Sequence, residues 1–269
     1  MRYRALGIDV ASARWPSNGS ALVEWDPRRG IFTRVRAPAI AWPAEPLTPR
    51  ALADAIDSFA RSSSALAVAL DGPQGFRDPG TPRGAPGVGR RCEHACRTQG
   101  KTGVYPRTYP STQRRWVEFC VDLFDSLLSR RGVVLASAGT GRPLRGGYAL
   151  LECFPTSAWR SSGLVPLPAK SRKVPLAPHA RALAQAYGLP LPPRGVGGHD
   201  DLQAVVAALA AAAFAGGPAI PEPRGVPAGV AVDRRGVARR TEGFIWDVRP
   251  ARARAPVSPG FVARASTTL

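Results

Sequence analysis

Four acidic stretches of the chain occur where a carboxylate is hard to explain as solvated surface. Asp9 ends the apolar run Arg4-Ala-Leu-Gly-Ile-Asp9, and Asp71 follows Ala-Val-Ala-Leu70 and precedes Gly-Pro-Gln-Gly75. Glu152 lies inside Leu150-Leu-Glu-Cys-Phe154, and His199-Asp200-Asp201 follows Gly197-Gly198. A carboxylate in an apolar run is costly unless it has a partner or a bound cation. Each stretch also has an ordinary explanation. Asp9 could cap a turn, and Asp71 could make an Asx-turn with the Gly-Pro that follows. Glu152 could pair with an arginine such as Arg160, and Asp200 and Asp201 suit the first turn of a helix. Taken together they suggest more. Carboxylates gathered from separate strands and a helix start repel one another and call for a divalent cation. Oxygen ligands suit Mg²⁺ or Mn²⁺, and two such ions about 4 Å apart clamp the attacking and leaving oxygens of a phosphodiester. On this reading Asp9, Asp71, Glu152 and Asp200 are the catalytic set, and the same four with Asp201 hold metal. Arg160, Lys170, Lys173 and His199 are the candidates to meet substrate phosphate.

The charge fits such a substrate. The 269 residues carry 37 Lys and Arg against 19 Asp and Glu, a net +18, and such an excess attracts polyanions, nucleic acid first among them. Only Lys101, Lys170 and Lys173 are lysines, and Ala, Gly and Pro are abundant; part of the basic excess can therefore reflect a GC-rich coding sequence. A local acidic cluster inside a basic surround is coherent for a nuclease. Cys92-Glu-His94-Ala-Cys96 offers three soft ligands, but zinc commonly takes four and no second pair stands out. Walker A, Rossmann and nucleophile-elbow patterns are missing. No run is apolar for the ~18 residues of a membrane span, and no signal-peptide pattern opens the chain. The expectation is a cytoplasmic protein with no membrane partner.

The elements that must position these acids can be read from the periodicity. Residues 4–13, 19–26 and 30–37 read as three strands, the last two joined by the Asp26-Pro-Arg-Arg-Gly30 turn of a hairpin. Thr48 and Pro49 start a helix running to about Ser62. Residues 65–70 read as a buried strand stopped by Asp71-Gly-Pro. Residues 76–112 read as a long Arg-, Gly- and Pro-rich loop, of the sort that is functional or disordered. A helix over 116–130, a strand over 147–154, a short helix over 178–187 and a helix over 202–214 follow. Two short strands, 230–236 and 243–248, lie beyond Gly216-Gly217-Pro218. This is an α/β pattern with a mixed sheet. The expected organisation is a domain over 1–217, a C-terminal extension over 218–248 and a basic, mobile tail over 249–269.

In this order, Gly7-Ile-Asp9-Val-Ala, Leu70-Asp71-Gly-Pro-Gln-Gly, Glu152-Cys-Phe-Pro with Trp159-Arg160, His199-Asp200-Asp-Leu-Gln-Ala204 and Glu242-Gly-Phe-Ile245 resemble the motifs of domain-of-unknown-function family 429 (DUF429). That family is described as predicted nucleases of the ribonuclease-H-like superfamily. The resemblance spans about residues 4–248. It implies a ribonuclease-H-like fold: a mixed five-stranded sheet, its first three strands antiparallel, flanked by helices. It also implies a metal-dependent acidic site. Asp9 would be the first-strand acid, Asp71 the acid ending the next central strand, Glu152 the later strand acid and Asp200 the helix-start acid, accompanied by His199. The chain departs from the pattern at Gln203, where the family often has a second acid; Asp201 is the neighbour that could substitute. Two other functions are compatible with the sequence. One is a non-catalytic nucleic-acid-binding module. The other is an ATP-handling relative of the actin and sugar-kinase branch, although the duplicated second domain of that branch is missing.

Overall fold

The computed structural model describes residues 2–251 except 12–17, 45, 82–87, 99, 140–145, 192–196 and 234. Most of the expected basic tail, residues 252–269, lies outside the described residues. Among the described residues eight strands form one mixed sheet: β1 (Tyr3–Asp9), β2 (Gly19–Asp26), β3 (Ile31–Arg36), β4 (Ala67–Asp71), β5 (Val133–Leu135), β6 (Tyr148–Cys153), β7 (Ala219–Val232) and β8 (Ala238–Pro250). Their order is β3-β2-β1-β4-β6-β8-β7, with β5 also paired to β6. The first three strands are antiparallel neighbours, as expected. β4 runs parallel to β1, and β6 parallel to β4. The sheet is thus larger than the five strands expected. The stretch after Gly217 makes two long strands of the same sheet, with β8 joining β6 at Glu152 and Ile245.

Among the described residues there are six α-helices: α1 (Pro49–Ser62), α2 (Arg91–Ala95), α3 (Arg114–Leu128), α4 (Pro155–Ser161), α5 (Ala177–Tyr187) and α6 (His199–Phe214). Thr48 caps α1 as expected, its hydroxyl accepting from the Ala51 amide at 3.2 Å. None of the described helices is long and apolar enough to cross a membrane.

The strands sort their side chains by size as well as by polarity. Successive residues of a strand face opposite sides. In β1 and β4, Leu6, Ile8, Val68 and Leu70 pack on the apolar stripes of α1 and α3. Ala5, Ala67 and Ala69 face the other way, toward the Ala-rich α6. Small residues on both partners let α6 lie close against the sheet. A Cβ added at Gly7 would stand 2.1 Å from the Ala204 carbonyl oxygen and 2.3 Å from the Ala208 nitrogen. One at Gly19 would stand 2.2 Å from the Asp200 carbonyl. These two glycines fix where α6 begins, and hence where its acids lie.

Candidate functional site

The alternation that buries Ala5 and Gly7 under α6 carries Asp9 to the same face. In β4 it does the same for Asp71 after Ala67 and Ala69. The parallel register sets Asp9 directly beside Asp71, at the carboxyl ends of adjacent strands, where open α/β sheets take their ligands. Both residues are half-buried, and no described residue donates a hydrogen bond to either carboxylate. Burial foremost, then the charges of Asp71 and Asp200, push the Asp9 carboxyl up to about 8, against the pull of Lys170. Burial foremost, opposed by Lys101 and reinforced by Glu152, pushes Asp71 up to about 7.

Asp200 approaches from the first turn of α6. Its carboxylate is ion-paired to Lys170, whose side chain is 67% exposed, and lies 3.2 Å from Nδ1 of His199. The other ring nitrogen of His199, Nε2, lies 2.9 Å from the Pro168 carbonyl oxygen. His199 thus fastens the Lys170 segment to the helix start. Asp201 serves the fold instead. Its two oxygens accept from the Gly198 amide at 2.9 Å and the Ser20 amide at 3.2 Å, closing the α6 cap and tying it to β2. The ordinary explanation of an acid in the first helical turn holds for Asp201.

Glu152 stands beside Asp71 but has a partner of its own. The β6 register places Cys153 beside Asp71 and Glu152 beside Leu70, so Glu152 is one residue out of register with the pair while lining the same pocket as Asp71. Its partner is an arginine, Arg90 rather than Arg160. Nη1 and Nη2 of Arg90 donate to its two oxygens at 2.7 and 2.5 Å, and the Gln74 amide adds a third bond at 2.9 Å. Arg90 is 0% exposed. It also donates to Thr102 at 2.9 Å and lies 3.4 Å from Glu93. A paired carboxylate with its lone pairs occupied is a poor metal ligand. Arg160 spends its guanidinium on the carbonyls of Thr156 and Arg97, and Lys173 is exposed. Gln203 is no ligand either, because its amide oxygen accepts from the Trp159 indole at 3.0 Å.

The Cys92, His94 and Cys96 group has no metal-site geometry. Both thiols are buried with Ile245 in a small apolar cluster, and burial raises both, Cys96 to about 12. Among the described residues, no three His, Cys, Asp or Glu side chains are gathered to hold an ion.

The pocket beside Asp71 adds residues that were not candidates in the sequence, Lys101 and Arg90 among them. This small pocket of about 30 Å³ is lined among others by Lys101, Arg90, Glu152 and Trp116. The Lys101 ammonium lies 5.1 Å from the Trp116 ring centre and 5.8 Å from that of Phe154. Lys101 and Lys170 are two of only three lysines beside 34 arginines. That rarity was a signal available in the sequence, because a compact ammonium is not interchangeable with guanidinium.

No protein-family model, curated protein or solved structure matches the chain significantly. The functional reading therefore rests on the geometry of the site.

Proposed function

We propose that this protein is a metal-dependent nuclease that hydrolyses phosphodiester bonds of nucleic acid, acting through Asp9 and Asp71 with Asp200. The observation that carries the reading is the in-register pair of Asp9 and Asp71 on adjacent parallel strands. Two raised, like-charged carboxyls without a described donor create a demand for positive charge, and an all-oxygen set suits Mg²⁺ or Mn²⁺. Asp9 and Asp71 would hold the ion, with Asp200 joining when Lys170 releases it. Such an ion supplies Lewis acidity to a phosphoryl group and activates water. The chain's own residues do the rest. Lys170 neutralises Asp200 while the site waits, and Lys101 offers an ammonium beside Asp71 for a phosphate oxygen. The Arg90–Glu152 pair braces the strand ends so that the two aspartates stay aligned.

A strand order of β3-β2-β1-β4-β6 with an antiparallel start supports the ribonuclease-H-like and DUF429 reading. With added Mg²⁺ or Mn²⁺ the protein is expected to cleave labelled DNA or RNA, and Asp9→Asn is expected to abolish cleavage. Cleavage undiminished in excess EDTA, or unchanged in Asp9→Asn, overturns the proposal. A second reading, a nucleic-acid-binding module without catalysis, is favoured by one observation: Glu152 and Asp200 already have cationic partners. It predicts metal-independent binding that survives or strengthens in Asp9→Asn.

A further inference from the structure

A second, larger hollow lies outside the acid site. It measures about 910 Å³, and among the described residues its lining includes Arg77, Arg107, Arg114 and Arg235 with Asp233 as the one acid. That acid is already committed. The Asp233 carboxylate accepts from the backbone amides of Arg235 at 2.8 Å and Val237 at 3.0 Å, and from Nε of Arg239 at 3.1 Å. These bonds hold it below the ordinary carboxyl range, the Val237 amide contributing most. It therefore stays ionised, shapes the β7–β8 turn and has its charge offset by Arg239. Arg114 is paired with Glu118 at 3.0 Å. Among the described residues Arg107 and Arg235 have no acidic partner, and both are exposed.

The wall is built to keep this charge in place. Arg239 lies 3.8 Å from the Tyr105 ring centre, and Tyr105 packs edge-on against the buried Phe76 at 5.1 Å. The Arg77 amide donates to the Gly103 carbonyl at 3.0 Å. The hollow is also continuous in chain with the acid site. The segment from Lys101 to Trp116 gives Lys101 and Trp116 to the pocket beside Asp71, and Tyr105, Arg107 and Arg114 to the hollow.

We propose that this hollow binds the phosphate backbone of a nucleic-acid strand whose neighbouring nucleotides reach the acid site, with Arg107 and Arg235 as direct phosphate contacts. Unpaired guanidiniums around a concave surface match phosphate oxygens by charge and by their forked donors. The proposal takes the identity of the polyanion from the nuclease reading; the anion-binding chemistry stands without it.

The test is fluorescence anisotropy with a labelled single-stranded oligodeoxynucleotide in EDTA, where cleavage plays no part. Each phosphate contact on a single strand contributes about 0.7 to the slope of log affinity against log salt. Arg107→Ala with Arg235→Ala is expected to reduce that slope by about 1.4, which at 0.1 M salt is about a 25-fold loss of affinity. The corresponding double lysine variant should retain most of the binding. Both positions are exposed, so an unchanged melting temperature verifies folding. Unchanged affinity in the alanine pair, or no salt-dependent binding by the wild-type chain, overturns the proposal. Wild-type binding that is lost in the alanine pair, from a protein that cleaves nothing, supports the hollow and removes the nuclease reading. Cleavage that needs Asp9 but ignores the alanine pair does the reverse.

Discussion

Asp9 and Asp71 are the residues whose protonation the fold alters most usefully. An unfolded aspartate ionises near 3.8, whereas folding raises Asp9 to about 8 and Asp71 to about 7. Between those values the folded chain holds more protons than the unfolded one, so these groups make stability fall as pH rises. The penalty is absent below about pH 4 and complete once the pH passes the folded values. In EDTA, the melting temperature of Asp9→Asn should therefore gain on wild type as pH is raised from 5 to about 8. On the proposed reading Mg²⁺ would bind the ionised pair, so saturating Mg²⁺ should remove the wild type's loss while leaving Asp9→Asn less changed. A constant difference between the two proteins across this range, with or without the ion, would show that Asp9 carries no strained charge. The residue types of this pair were legible in the sequence. The engagement of Glu152 by Arg90 was not, because it depends on a buried arginine contributed by a stretch that reads as loop.

At the scale of elements, the site is placed by the contact of α6 with β1 and β2. Strands β1 to β4, β6 and the middle of β8, with α1, α3, α5 and most of α6, were readable from periodicity and caps, since each rests on local pattern; β5 was not, and the strand expected over 230–236 falls mostly on the turn after β7. The role of Gly7 was less visible: the sequence indicates close approach, and only the fold reveals that the approaching body is helix backbone. Extending α6 back to His199 puts Asp200 and Asp201 inside its first turn. There Asp201 is consumed by the cap, whereas Asp200 is left facing Lys170. Gly7→Ala would place a methyl group 2.1 Å from the Ala204 carbonyl, so the helix must retreat from the strand. Overpacking of this kind costs about 1–3 kcal/mol, and urea unfolding should show a loss of that order. Retreat also draws Asp200 away from Asp9, so the remaining folded protein should lose metal-dependent cleavage. A variant that is destabilised but cleaves at the wild-type rate would separate α6 placement from activity.

At the scale of the whole molecule, the C-terminal strands decide how much of the chain is one cooperative unit. Composition shifts after Gly217, which is why 218–248 read as an extension; a change of composition reports little about hydrogen bonding to a distant strand. In the fold β8 lies against β6, and Phe244, Ile245, Trp246 and Val248 are buried. Gln74, two residues before Phe76, donates to the Phe244 carbonyl at 2.7 Å. Ser157 and Ser161 of α4 each donate to Asp247 at 2.8 Å. Glu242 holds the entrance of α2 by accepting from the Arg91 amide at 2.8 Å. Residues 218–250 therefore cover the flank of the sheet on which Glu152 is held. Burying one large apolar side chain contributes about 1.5–3 kcal/mol, so four of them approach the ~5–15 kcal/mol that stabilises a typical domain. A chain ending at Gly217 should consequently fail to show a cooperative thermal transition and should bind hydrophobic dye at room temperature. A sharp transition near that of the full chain would instead make 1–217 an independent domain, with the Arg90–Glu152 brace formed without β8.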